Sequence, residues 1–195
     1  FKMSYLGLYP ILDLDFLKTK KKSTITNETK SYDVEWDEKE LKIGLKIPLS
    51  YTRSKYTTYY IFESDYSSTK LENIYSPFFP GTIKLNYDRI KYLTNTFYYS
   101  RLHKKTKRNV YYPWGQTILL QHKIMTNRSD FSGYYFRASS FFDFPGLKET
   151  HSLRLNFNYE GQTQKGYAFA NSVSLINGFE SNNKFKNALV GEIEY

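Results

Sequence analysis

The chain has 195 residues, a formal net charge of +9 and no cysteine. The lack of cysteine excludes a disulfide scaffold, a thiolate metal site and a cysteine nucleophile. No run of about 18 apolar residues occurs, which excludes a transmembrane helix, and the basic balance favours anionic partners such as lipid phosphate or nucleic acid.

Apolar and polar residues alternate with a period of two along most of the chain, which predicts about ten β-strands and no helix. The apolar rows are, in chain order, Leu6, Leu8, Leu12, Leu14 and Phe16; Leu41, Ile43, Leu45, Ile47, Leu49 and Tyr51; Tyr56, Thr58, Tyr60, Phe62 and Tyr66; Ile83, Leu85 and Tyr87; Ile118, Leu120 and Ile124; Tyr134, Phe136, Ala138, Phe142 and Phe144; and Leu153, Leu155, Phe157 and Tyr159. Segments 92–101, 167–176 and 187–195 are also predicted to be strands.

The longest alternating row covers residues 41–52. Strands of soluble proteins average about five to six residues, whereas a tilted strand that crosses a membrane needs about nine to eleven. The length of this row therefore favours membrane-spanning strands. Pro48 interrupts the row and indicates an edge, a bulge or a strand end, because proline cannot donate a backbone hydrogen bond.

The connections between the predicted strands alternate roughly between long and short. The long ones are segments 18–39, 67–81, 102–115 and 177–186, and the shorter ones are 52–55, 88–92, 127–131, 145–150 and 161–166. Outer-membrane barrels have long loops on one side and short turns on the other, and a sandwich has no reason to sort its loops in this way. The sequence therefore predicts one all-β domain over residues 1–195, an antiparallel transmembrane β-barrel.

Aromatic residues make up 19% of the sequence, and 20 residues are tyrosine. This composition suits the aromatic girdles of a membrane barrel, although on composition alone a tyrosine-rich soluble β-sandwich fits equally well. The chain begins at Phe1, shows no signal peptide and ends within an alternating segment. The barrel is therefore expected to be incomplete.

Four short motifs occur in a characteristic order: Gly7-Leu8-Tyr9-Pro10-Ile11-Leu12-Asp13-Leu14, Leu45-Lys46-Ile47-Pro48-Leu49-Ser50, Tyr112-Pro113-Trp114-Gly115-Gln116, and Phe144-Pro145-Gly146-Leu147-Lys148-Glu149-Thr150-His151-Ser152-Leu153. Together they resemble the barrel of BamA-like surface-antigen proteins, in the Bacteroidetes-type variant that can follow a periplasmic β-propeller. The resemblance implies a bacterial outer-membrane location and a closed barrel of about sixteen strands, of which about ten are visible in this chain.

BamA-like barrels carry an Arg-Gly-aromatic motif at the tip of a long loop that folds into the lumen. Asn177-Gly178-Phe179 stands at the comparable place in this sequence. Asparagine cannot form the charged contact that an arginine makes with acidic groups of the barrel wall, which puts insertase-type activity in doubt. The alternative interpretation is a surface turn, because Asn-Gly is a common turn signal.

Two basic clusters are candidates for lipid phosphates. The first consists of Lys20, Lys21 and Lys22, preceded by Lys18, and the second of Arg101, His103, Lys104, Lys105, Lys107 and Arg108. Two such loops at the outer leaflet would suit anionic lipopolysaccharide. A solvated loop is the simplest alternative for each cluster, and nucleic acid ranks last, since no binding signature accompanies either.

Tyr111, Tyr112 and Trp114 form an aromatic cluster just before a predicted strand. They are interpreted as part of an interfacial girdle, the alternative being a local hydrophobic cluster under a loop.

The sequence predicts no metal site, cofactor or catalytic site. His103, His122 and His151 lack ligand spacing, and the carboxylates around Trp36 fit a solvated loop better than a glycosidase pair. These carboxylates are Asp33, Glu35, Asp37, Glu38 and Glu40.

The predicted function is non-enzymatic. It follows from the resemblance and consists of protein insertion or translocation at the outer membrane, with the lipid bilayer and other outer-membrane or periplasmic proteins as partners. Two alternatives remain: a passive pore or anchor subunit of an envelope complex, and a secreted β-sandwich that binds carbohydrate or a surface partner.

Overall fold

The computed structural model describes residues 1–5, 9–27, 30–76, 79–83, 89–105, 107, 111–126, 133–148, 151–163, 169, 173 and 186–195. This part contains ten strands, which are β1 (Lys2–Tyr5), β2 (Ile11–Asn27), β3 (Lys30–Arg53), β4 (Tyr56–Ser76), β5 (Phe79–Ile83), β6 (Ile90–His103), β7 (Gly115–Met125), β8 (Tyr134–Pro145), β9 (Ser152–Gln162) and β10 (Asn187–Glu194). None of the described residues belongs to a helix long and apolar enough to cross a membrane.

The strands form one antiparallel sheet in the order β1-β2-β3-β4-β6-β7-β8-β9-β10, and β5 pairs with the far end of β4. Strands that follow one another in sequence are therefore neighbours in space, as in an up-and-down β topology. β1 and β10 lie at the two edges and make no contact with each other within the described ranges, so the sheet is open. The prediction of an all-β antiparallel fold is confirmed, and closure into a barrel stays a prediction.

Two segments that were predicted to be long connections are mostly strand, so this prediction was wrong. Residues 18–39 form the outer arms of the β2–β3 hairpin, which is paired without interruption from base to tip. Residues 67–76 continue β4, and 79–83 form β5. β3 has 24 residues and spans about 80 Å at about 3.3 Å per residue, well beyond the ~30 Å hydrocarbon core of a bilayer.

Pro48 lies inside β3 and not at its end. It pairs with Ile61 of β4 on one side, whereas on the other side β2 has already ended, since its last pair with β3 joins Ile11 to Lys46. The Pro48 carbonyl accepts a hydrogen bond from the Tyr9 hydroxyl at 3.1 Å. The nitrogen of Pro48 points to the same side as its carbonyl, which is the side that β2 does not reach. No neighbouring strand therefore loses a hydrogen bond to the missing N–H of proline, and the predicted local edge is confirmed.

The register separates the sheet into two chemically different faces. The apolar face carries a row that crosses seven strands, consisting of Ile47, Phe62, Phe97, Leu120, Ala138, Tyr159 and Leu189. The residues next to these in sequence form a row on the polar face, which consists of Lys46, Glu63, Thr96, Gln121, Arg137 and Glu160. The period-two pattern of the sequence therefore extends unbroken across the sheet.

Burial is largely the reverse of that in a soluble domain, although one apolar cluster, made of Ile90, Met125, Tyr135 and Phe169, is buried. On the apolar face Ile43 and Phe62 are 50% and 47% exposed, while on the polar face Asp65 and Asp143 are only 2% and 1% exposed. Soluble domains bury their aliphatic and aromatic side chains and leave carboxylates in water. The apolar face therefore needs a nonaqueous environment or a partner that covers it.

Two predicted strands are not seen as predicted. The segment 167–176 is described only at Phe169 and Val173, neither of which is in a strand. β5 ends at Ile83, and the other members of that predicted row, Leu85 and Tyr87, lie outside the described residues.

Candidate functional site

The sheet has two different ends. At the short-turn end β3 and β4 are joined by Ser54 and Lys55 alone, with Ser54 at a φ of 54°. The connection between β6 and β7 lies at the same end, since the Lys104 backbone N–H donates to the Lys55 carbonyl at 2.8 Å. The prediction that the long segment 102–115 and the short segment 52–55 lie on opposite sides was therefore wrong. The opposite, long-hairpin end carries the outermost pair of the β2–β3 hairpin, Asn27 and Lys30, together with the end of β9 and the start of β10.

Ion pairs occupy the polar face between its two ends. Lys42 Nζ lies 2.7 Å from Asp65 Oδ2 and 3.7 Å from Glu63 Oε1. Gly44 makes room for this arrangement, because a Cβ there would lie 2.0 Å from Asp65 Oδ1. A buried carboxylate is tolerated when it is paired, and Asp65 is paired through Oδ2, whereas its Oδ1 is buried without a hydrogen-bond partner among the described residues.

A second charged cluster lies on the polar face near the short-turn end. Arg154 binds the fully buried Asp143 with Nε and Nη2, at 2.7 and 3.0 Å, and its guanidinium lies between the rings of Tyr111 and Phe141, at 4.1 and 4.4 Å. The Tyr111 hydroxyl donates to Glu194 of β10, which raises the pKa of Tyr111. The connection before β7 is thereby attached to the last strand.

The three predicted girdle aromatics have different surroundings. Tyr111 faces Arg154 on the polar face, contrary to its predicted place in a girdle, because its hydroxyl finds a carboxylate partner there. Tyr112 is half-buried, with the Lys105 ammonium 5.3 Å from its ring. Trp114 is 49% exposed and packs edge-on against Phe144 at 5.7 Å. Trp114 is the member whose position suits a membrane interface.

The lysine cluster at the long-hairpin end is neutralised by the carboxylates that surround Trp36. Lys20 Nζ lies 3.0 Å from Glu35, whose hydrogen bond raises the pKa of Lys20, and Lys21 Nζ lies 2.7 Å from Glu38. Lys22 continues the same strand. This cluster and the Arg101 cluster lie at opposite ends of the sheet, so they do not form one basic surface.

The basic cluster at the short-turn end is exposed at each described member except half-buried His103. Arg101 lies on the apolar face with its guanidinium 4.7 Å from the centre of the Tyr56 ring. Lys104 and Lys105 follow β6 in the connection to β7, and Arg108 lies outside the described residues. Sequence reasoning missed Arg53, which the β3–β4 pairing sets opposite Tyr56.

Part of the connection between β9 and β10 lies on the polar face. The Phe169 backbone N–H donates to Gln162 Oε1 at 3.0 Å, and Gln162 Nε2 donates back to the Phe169 carbonyl at 3.3 Å. The Val173 N–H donates to Glu160 Oε2 at 3.1 Å. The Lys123 ammonium lies 5.3 Å from the Phe169 ring. The motif Asn177-Gly178-Phe179 lies outside the described residues.

The residues described include no group of three or more His, Cys, Asp or Glu side chains that could hold a metal ion. The three histidines are apart from one another: His103 packs on Tyr56, His122 on Tyr134 and His151 on Tyr195.

Comparison with protein-family models, with curated protein sequences and with solved structures gave no match to this chain.

Proposed function

We propose that the sheet is part of the wall of an outer-membrane β-barrel of BamA-like type, which acts non-enzymatically in protein insertion or translocation. The observation that carries the barrel proposal is the inverted burial of the two faces, with exposed Ile43 and Phe62 opposite buried Asp65 and Asp143. A barrel in lipid has this arrangement, with an apolar band outside and polar residues lining the interior.

The energetics favour a lipid environment for the apolar face. Covering one exposed leucine, isoleucine or phenylalanine side chain contributes about 1.5 to 3 kcal/mol, and this face carries such residues on most of its strands.

The sandwich alternative requires a second sheet packed against this face at about 10 Å. The described residues form one sheet only, which argues against that alternative.

The BamA-like type is supported by the motifs of the sequence and by one feature of the structure. Phe169 and Val173, from the connection between β9 and β10, contact the polar face through Gln162 and Glu160. A loop that folds into the lumen is what the resemblance implies for this part of the chain.

A passive pore or anchor is the second candidate. The specific observation in its favour is Asn177 at the place of the family arginine. An insertase and a passive pore differ in what happens to other outer-membrane proteins when the chain is depleted. Loss of assembled barrels on depletion supports insertion, and normal barrel levels together with channel conductance support the passive pore.

The barrel proposal is tested by fractionating the cell envelope and running the full-length native protein on a gel with and without heating. Recovery from the outer membrane, with a mobility shift on heating, is the expected result. A soluble protein without a shift would overturn the proposal.

A further inference from the structure

Two arginines on the apolar face, Arg53 and Arg101, differ from several lysines of the sheet in having no carboxylate partner in the described part of the chain. Lys20, Lys39 and Lys42 all lie within ion-pair distance of a carboxylate, at 3.0, 2.6 and 2.7 Å. Arg53 and Arg101 form no such pair with any residue in the described ranges. Both are exposed, so their charge is available to an external anion.

The register brings the two arginines to one place. Arg53 pairs with Tyr56, and Arg101 pairs with Thr58 two residues further along β4, so both side chains are on the same face. The Arg101 guanidinium lies over the Tyr56 ring at 4.7 Å. Tyr56 therefore holds the Arg101 guanidinium by cation–π contact and is the cross-strand partner of Arg53.

A groove of about 560 Å³ opens between these side chains on the apolar face. Beyond the two arginines and Tyr56 it is lined by Tyr51, Ser54, Thr58, Tyr60 and Tyr99. The tyrosines support one another, with Tyr60 5.1 Å from Tyr99 and 6.4 Å from Tyr51 between ring centroids. The Tyr99 hydroxyl accepts a hydrogen bond from Gln116 at 2.7 Å and keeps its own proton to donate.

Guanidinium groups bind phosphate oxygens through paired N–H donors, and tyrosine rings suit the level of lipid headgroups. We propose that this groove binds the phosphate of an anionic glycerophospholipid, with the acyl chains on the apolar face beyond it. The proposal rests on the proposed function. Short turns are periplasmic in outer-membrane barrels, so the lipid belongs to the periplasmic leaflet and is not lipopolysaccharide.

The test uses full-length native protein in detergent, loaded with phosphatidylglycerol and observed by native mass spectrometry. The variants are Arg53→Gln, Arg101→Gln and the double variant, and Lys20→Gln with Lys21→Gln is a control that removes the same charge at the other end. We expect phosphatidylglycerol affinity to fall about fivefold for each arginine and about thirtyfold for both, with no change in the control.

Equal losses in the control and the double variant would overturn the site in favour of a general charge effect. So would unchanged binding in the double variant, or competition at the groove by lipopolysaccharide or inorganic phosphate as strong as that by phosphatidylglycerol. Gel mobility on heating, measured for every variant, separates the two proposals. If the double variant is heat-modifiable and still binds phosphatidylglycerol, only the lipid-site proposal is rejected. If the protein is soluble and shows no shift, the barrel proposal and the lipid-site proposal are both rejected.

Discussion

Arg154 and Asp143 face each other across β8 and β9, joined by two hydrogen bonds of 2.7 and 3.0 Å on the polar face. The Asp143 side chain is completely buried, and that of Arg154 is 19% exposed. The buried Asp143 carboxylate thus depends on Arg154 for its charge partner, and Arg154 also contacts the rings of Tyr111 and Phe141.

Replacing Arg154 by alanine leaves the Asp143 carboxylate buried without its partner. Removal of one member of a buried pair costs about 3 to 5 kcal/mol, and we expect a loss of that size in the free energy of unfolding. Urea titration of the full-length protein in lipid vesicles measures it. Lys20→Ala, at an exposed pair, is the control and is expected to change nothing measurable. If Arg154→Ala lowers the free energy of unfolding no more than the control does, the Arg154–Asp143 pair does not stabilise the sheet.

Gly44→Ala tests the contact between β3 and β4 on the polar face. The new Cβ would lie 2.0 Å from Asp65 Oδ1, and the carboxylate cannot turn away without leaving Lys42, 2.7 Å from its other oxygen. Overpacking of this kind costs about 1 to 3 kcal/mol. Gly191→Ala is the matched control, since its Cβ would meet nothing closer than 3.9 Å. Equal stability of the two variants would contradict the reading of Gly44 as space for Asp65.

The apolar alternation of residues 41–51 was enough to predict a strand and the residues that share its face. It could not predict the outer part of the β2–β3 hairpin, because the pattern search relies on apolar rows. In the outer part of this hairpin the cross-strand neighbours are charged, and ion pairs such as Lys21–Glu38 at 2.7 Å take the place of the apolar rows. Opposite charges on facing strands are the signal that identifies this region as a hairpin.

The candidate site was predictable only in part. Arg101 stood out in a basic run, whereas Arg53 is a lone cation beside a turn and gave no signal. Its relation to Arg101 depends on the β4–β6 register, which brings residues 48 positions apart to one groove. Tyr111 likewise reaches Glu194 only through the tertiary fold.

The paired outer parts of β3 and β4 are predicted to lose stability in acid. Glu72 accepts hydrogen bonds from Lys39 and Lys70, at 2.6 and 2.9 Å, which hold its pKa at about 2 against an ordinary 4.5. A lowered carboxylate pKa contributes stability that is fully present above 4.5 and is lost as the pH falls toward 2.

Carbon-13 NMR of the Glu72 carboxyl group measures this titration directly. We expect a midpoint near 2 in the natural chain, moving toward 4.5 in the double variant Lys39→Gln, Lys70→Gln. Lys55→Gln, at the other end of the sheet, is the control and leaves the midpoint in place. A natural chain that already titrates near 4.5 would show that the two lysines do not hold the carboxylate.

Phe169 is predicted to hold the connection between β9 and β10 on the polar face. Its ring packs between Tyr92 and Tyr135, with both centroid distances at 5.6 Å, and Gln162 binds its backbone on both sides. If the polar face lines a lumen, this segment obstructs it. Phe169→Ala and Gln162→Ala should each release the segment and raise single-channel conductance in planar bilayers. Leu147→Ala changes a side chain that is 93% exposed and should leave conductance unchanged. If Phe169→Ala and Gln162→Ala both conduct as the natural chain does, the segment does not narrow a conducting path.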